Sequence, residues 1–290
     1  MSIRRLRVSV LFVAVILELL EFCLTPCSRI ARSMGFLKST IQVRARFKRC
    51  RAAWFPHLQH TKAAILSAAR QAPERRKALL FGAGLLHDIP LRELSAMFEE
   101  VILADIVHSL PCRFAASRFS NVRLLALDVT GVAAGLAAAQ RRPDLPLPRS
   151  NPAWFLNDSH LDLSVSVNLL SQLSWVPSHF LAHSHPEAEV AAMKTQLILA
   201  HLEYLQRLPG QTALITDTTW RAVPVQEING GPPASDAAQT WDVLSGVNLP
   251  MPALAWDWCI APAPERAQCI DYIARVHAYP DWKRCVLPGN

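Results

Sequence analysis

The chain has 290 residues, 51% of them hydrophobic and 18% charged, which is ample for a sizeable core and excludes a disordered chain. Its net charge of +7 is uneven: residues 1–76 carry 15 Lys/Arg against Glu18, Glu21 and Glu74, a net +12, so the remainder is −5. This reads as a basic arm on a mildly acidic body, one large domain with an appendage rather than two equal halves. Seven scattered cysteines without C-x-x-C spacing read as reduced thiols in a cytoplasmic protein and exclude a zinc knuckle.

Arg4, Arg5 and Arg7 precede the apolar run Val8–Leu17, an order similar to the start of a signal peptide. Glu18 and Glu21 interrupt the run, no small-residue cleavage pattern follows, and a bilayer span needs about 20 apolar residues. Val8–Leu24 is therefore expected to be a helix that packs on the body or lies at a membrane surface. Residues 28–72 read as helical and basic. Arg44, Arg46, Lys48, Arg49 and Arg51 crowd one segment in which Val43, Phe47, Cys50 and Trp54 share a face. Pro56 is expected to break this helix, with Thr61–Ala72 forming another. Residues 1–54 could meet an anionic membrane surface or RNA through this charge. The plain alternative is a solvated face packed onto the body by Phe47 and Trp54.

A regular alternation begins at Ala78. Strand-like runs are Ala78–Phe81, Val101–Ile106, Val122–Leu127, Leu161–Val167 and Thr212–Asp217, separated by helix-length segments at Pro90–Glu100, Val132–Gln140 and Glu187–Arg207. Continuous apolar strands alternating with helices predict a parallel sheet covered on both faces. Leu254–Ala261 and Ile270–Ala278 are joined by Pro262–Ala267, too short for a crossover helix, and predict an antiparallel hairpin at the sheet edge.

The first strand runs into Gly82-Ala-Gly84, Pro90 marks the next helix, and the second strand delivers Asp105, 23 residues after Gly82. Glycines let the backbone approach a ligand, and an acid about 20 residues on can bind ribose hydroxyls. A dinucleotide site wants a third glycine where His87 stands and a helix that starts earlier, so a pyrophosphate fits poorly.

Five parallel strands, a terminal hairpin and this loop resemble the class I S-adenosylmethionine-dependent methyltransferases over about Lys77 to Trp282. The resemblance implies a Rossmann-like α/β domain over 77–290, a mostly parallel sheet closed by the C-terminal antiparallel hairpin, with 1–76 as a basic helical extension. It implies S-adenosylmethionine as cofactor and an open choice of methyl acceptor. Gly82 and Gly84 would line the methionine part, Asp105 would bind the ribose hydroxyls, Asp128 would lie near the adenine amino group, and Asn168 would face cofactor and substrate. Asn168 and Asp217, the latter expected at the end of the fifth strand, are the catalytic candidates, with Ser171, Gln172 and Trp220 at the mouth. No Asn/Asp-Pro-Pro-Tyr motif follows the fourth strand, which argues against methylation of an exocyclic base amine. Trp241, Trp256 and Trp258 are candidate walls and Asn229–Ser235 a candidate lid. His179, His183 and His185 lack a carboxylate or cysteine partner set, so no metal is expected there. The alternatives are a non-catalytic Rossmann-like ligand-binding or regulatory protein, and a nicotinamide-dependent oxidoreductase, against which His87 counts.

Overall fold

The computed structural model describes residues 18–225 and 239–285. Val8–Leu17 and Asn229–Ser235 lie outside the described residues. The order of elements is α1 (Arg29–Met34), α2 (Phe36–Gln71), β1 (Lys77–Phe81), α3 (Leu91–Met97), β2 (Glu100–Asp105), α4 (Leu110–Ala116), β3 (Val122–Ala126) and α5 (Ala133–Arg141). Then come β4 (Leu161–Val167), α6 (Trp175–Leu181), α7 (Glu187–Arg207), β5 (Gln211–Pro224), β6 (Thr240–Asp242), β7 (Leu254–Ala261) and β8 (Ile270–Tyr279). The sheet order is β3-β2-β1-β4-β5-β8-β7, with β6 paired to the far half of β5. The first five strands are parallel, whereas β8 and β7 are antiparallel, as the hairpin reading predicts.

The period of two along a strand sorts side chains between two covered faces. In β1, Ala78 and Leu80 pack with α2 and α3 through Trp54, Ile65 and Leu94. Leu79 and Phe81 point the other way, onto Ile198, Leu202 and Leu205 of α7. Burial on both faces explains why these strands read as unbroken apolar runs. At the base of the sheet, Arg76 donates from its backbone N and guanidinium to Asp162, tying the start of β1 to β4.

The largest departure from expectation is at Pro56, which does not end the helix: α2 runs 36 residues with Pro56 inside it and one non-helical residue, Cys50. An interior proline costs about 3 kcal/mol. The apolar face of α2 outweighs it, because Trp54, Leu58, Ala64, Ile65, Ala68 and Ala69 all enter the core shared with the sheet. The basic extension is thus a covering layer of the body, and α2 contributes to its main core. Its arginines Arg46 and Arg49 meet Glu265, in the loop between β7 and β8.

Two short helices, α4 and α6, were not among the segments singled out from the sequence. Ser109 caps α4, its hydroxyl accepting from the Cys112 N–H. The fifth strand does not stop at Asp217: it continues to Pro224 through an irregularity between Asp217 and Thr219, so Asp217 is inside a strand. Among the described residues no helix is long and apolar enough to cross a membrane.

Trp54 is the anchor of α2. It is 4% exposed, its indole N–H donates to the Ile260 carbonyl at 3.0 Å, and its ring meets Trp258 edge-on. Trp54→Ala should lower unfolding free energy by roughly 3–5 kcal/mol in chemical denaturation. Phe55→Ala, one position on and exposed to solvent, should stay within about 0.5 kcal/mol.

Candidate functional site

A cavity of about 190 Å³ lies at the carboxyl ends of β1 to β4, beneath α2. Such ends are where open α/β sheets take ligands. Its floor includes Gly82, Gly84, Asp105, Asp128 and Asn168, five of the six residues expected from the sequence. Its roof comes from α2, between Phe36 and Leu58, and Trp258 closes one side.

Both glycines are required by the chain itself. Gly82 has φ +81, and a Cβ there would sit 2.5 Å from the Val167 carbonyl oxygen. At Gly84 a Cβ would meet the Val107 carbonyl at 2.5 Å and the Asp105 carboxylate at 2.9 Å. These glycines allow the ends of β1, β2 and β4 to converge, and the cavity forms where they do. Two residues on, Leu86 also adopts positive φ, +60, without being glycine.

Asp105 accepts the Gly84 N–H at 2.8 Å and the Val107 N–H at 3.2 Å. Burial opposes its charge and raises its pKa to about 6, while those backbone donors pull the other way. Asp128 is held differently. One oxygen accepts from the Thr130 backbone and hydroxyl, and the other from the Ala133 N–H at 2.7 Å, so it caps the start of α5. A carboxylate has about four acceptor sites, so each acid retains capacity toward the cavity.

The opposite pole is built from Asn168, Asp88 and His57. Asn168 follows β4 with φ +48 and is 7% exposed. Its Nδ2 donates to Asp88 Oδ2 at 2.7 Å and lies 3.3 Å from His57 Nε2, while its Oδ1 has no partner. His57 stacks flat on Trp258 at 3.9 Å and accepts the Trp256 indole N–H at Nδ1. Burial lowers its pKa to about 3, so it is neutral. His87 stacks on Phe47, is pushed down to about 4 by burial, and leaves Nε2 unpartnered. Two orphan polar atoms around one cavity are what a site awaiting a polar ligand shows.

Asp217 is not among the cavity's lining residues. It is 4% exposed, and its carboxylate accepts from the Ser171 hydroxyl and, at 2.6 Å, from the Trp220 indole N–H. Gln172 does reach the cavity and donates to the Asn168 carbonyl. Of the three candidate tryptophan walls only Trp258 lines it; Trp256 acts through His57, and Trp241 stacks on Tyr272. Among the described residues no group of three His, Cys, Asp or Glu could hold a metal ion. His57 and Asp88 were not singled out by sequence. The break expected at Pro56 hid the former, and the latter sat unmarked in the glycine loop.

Electrostatically the lining is acidic, while Lys62 acts on Asp88, and Arg44 and Lys62 on His87, from outside it. Three carboxylates, Asp88, Asp105 and Asp128, line the cavity, and no lysine or arginine does among the described residues.

No protein-family model matches the chain, and no curated protein sequence does. Solved structures overlap it loosely. A 1,6-didemethyltoxoflavin-N1-methyltransferase of Burkholderia thailandensis, with bound 1,6-didemethyltoxoflavin and S-adenosylhomocysteine, is 14% identical; 88% of this chain and 92% of that one are covered, at TM-score 0.32. The N-methyltransferase NodS of Bradyrhizobium japonicum is 7% identical over 77% of this chain and 96% of its own, at TM-score 0.33. The 23S rRNA methyltransferase ErmE is 12% identical over 79% and 71%, at TM-score 0.30. The fold itself is defined by the strand order above.

Gly84→Ala should cost roughly 2–3 kcal/mol of stability, since relief requires moving the backbone after β2. Gly131→Ala, at φ +69 with open space around the added carbon, should cost only about 1 kcal/mol. Paired denaturation curves test the contrast.

Proposed function

We propose that the protein is an S-adenosylmethionine-dependent methyltransferase. The observation that carries this reading is the charge of the cavity: three acids and, among the described residues, no lining lysine or arginine, at the strand ends where a nucleotide-type cofactor would sit. A pyrophosphate would be repelled there, whereas a sulfonium cation is attracted. Supporting it are the orphan Asn168 Oδ1 and His87 Nε2, which call for polar ligand groups. Gly82 and Gly84 would pass the methionine chain, Asp105 would accept the ribose hydroxyls, Asp128 would lie toward the adenine, and Asn168 would face the reacting end. When bound, the cofactor supplies an electrophilic methyl carbon whose bond pair leaves on sulfur as a neutral thioether. The residues of this chain align the partners and exclude water, which is where much of the acceleration of a displacement arises.

A second reading, a ligand-binding protein without turnover, draws on Asp128, whose oxygens are engaged by Thr130 and by the start of α5. A nicotinamide cofactor is disfavoured by the same charge pattern.

Calorimetry with S-adenosylmethionine, S-adenosylhomocysteine and NAD(H) separates these readings. Micromolar binding of the first two, weakened tenfold or more by Asp105→Ala, is expected; binding of NAD(H) in their place would overturn the proposal. Protons add a second readout. Asp105 is largely protonated below about pH 6, and two ribose hydroxyls donating to it would favour the carboxylate. Binding of S-adenosylmethionine near pH 6 should therefore release protons, and affinity should fall as pH drops through that value. His57 and His87 titrate well below and do not contribute there. Titrations in buffers of differing ionisation enthalpy measure the release.

A further inference from the structure

We propose that the Asp88–Asn168–His57 pole of the cavity binds the methyl acceptor, that the acceptor is an amine of a small molecule, and that Asp88 Oδ2 receives its N–H proton. This rests on the cofactor reading above.

The hydrogen-bond logic of the pole comes first. A tryptophan indole can only donate, so the bond from Trp256 Nε1 to His57 Nδ1, 3.1 Å long, fixes the lone pair on Nδ1. Neutral His57 therefore carries its proton on Nε2, which faces the Asn168 amide at 3.3 Å. While Asp88 is a carboxylate, Asn168 must turn its NH₂ toward Asp88. That sets an amide N–H against the His57 N–H and leaves Oδ1 without a partner. Once Asp88 holds a proton, the amide can turn over. Oδ1 then accepts from both the Asp88 O–H and the His57 Nε2–H, and the NH₂ faces the cavity. The protonated state satisfies groups that the charged state leaves in conflict. The pole is thus arranged to take up one proton, and burial pushes Asp88 in the same direction.

An amine fits this sequence of states. Its N–H donates to the orphan Asn168 Oδ1 or to Asp88, holding the nitrogen lone pair free to attack. As the nitrogen–carbon bond forms and the carbon–sulfur pair departs on sulfur, the surplus N–H proton passes to Asp88 Oδ2, and Asn168 turns to accept it. A positive nitrogen is favoured beside the Asp88 carboxylate, on which the charge of Lys62 in α2 also acts. Size agrees too, because α2 covers the strand ends and leaves about 190 Å³ beneath Trp54, His57 and Leu58.

The test uses sinefungin, the cofactor analogue in which an amine-bearing carbon replaces the sulfonium, with S-adenosylhomocysteine as the amine-free control. On the full-length protein, calorimetry should show sinefungin binding at least tenfold more tightly than S-adenosylhomocysteine. Asp88→Asn, which can still accept from Asn168, should bring the ratio to about one while S-adenosylhomocysteine affinity stays within twofold. Unchanged S-adenosylhomocysteine binding also certifies that the variant is folded. Infrared difference spectra should show a protonated-carboxyl band at low pH that Asp88→Asn removes. If S-adenosylhomocysteine binds but sinefungin has no advantage, or keeps it in Asp88→Asn, the amine assignment is overturned and the cofactor reading stands. If neither binds, the cofactor reading falls and takes this proposal with it.

Discussion

The docking of α2 on β7 determines more of this molecule than any other contact. Trp54 and His57 lock onto Trp258, Trp256 and the Ile260 carbonyl, joining a helix near the start of the chain to the strand at the sheet's outer edge. That junction covers an edge strand on one face, completes the core of the β1–β4 region, and roofs the cavity. It also sets the His57 tautomer, so a packing contact decides which way a proton points 3.3 Å from Asn168. Structure and chemistry meet in the same pair of indoles.

The cavity concentrates cost. Three carboxylates share one site with two neutral imidazoles, Asp105 is raised to about 6, and Asn168 keeps an unpartnered oxygen. Each feature disfavours the ligand-free state, and each is relieved by a cation bearing hydrogen-bond donors. The backbone around it is equally constrained, with Gly82, Leu86 and Asn168 all at positive φ. Unpartnered buried atoms also occur in the sheet and α7, at Ser164, Thr212 and His201, but at the cavity they coincide with non-glycine residues at positive φ, as expected of a working site.

Much of the fold was readable from its burial patterns: Leu161–Val167, buried on both faces, Leu254–Ala261 and the helix Glu187–Arg207 keep their predicted bounds. What failed did so where tertiary contacts override local rules. Pro56 stays helical because Trp54 and Leu58 are buried on either side of it. Asp217 was placed at a strand end because polar residues follow it, yet pairing with β8 carries the strand on to Pro224. At the site, the glycines and acids were found by spacing, but their local work was not. Asp128 holds the turn before α5 by an i to i+2 pattern with Thr130, which its Asp-Val-Thr context does allow, and caps α5 through the Ala133 N–H. The Asp88–Asn168–His57 grouping had no signal at all, since 80 residues separate the first two and 111 the last two.

The bond from Trp54 to Ile260 spans 206 residues. During synthesis α2 emerges long before β7 exists to receive it, and Trp54, His57 and Leu58 must wait without their final partners. Contacts of such separation close late and slow folding. The rest of α2, with Ile65, Ala68 and Ala69, packs on the central strands without β7. The roof is thus completed by the last strands of the chain: before Leu254 is made, Trp54 and His57 lack Trp258, Trp256 and the Ile260 carbonyl.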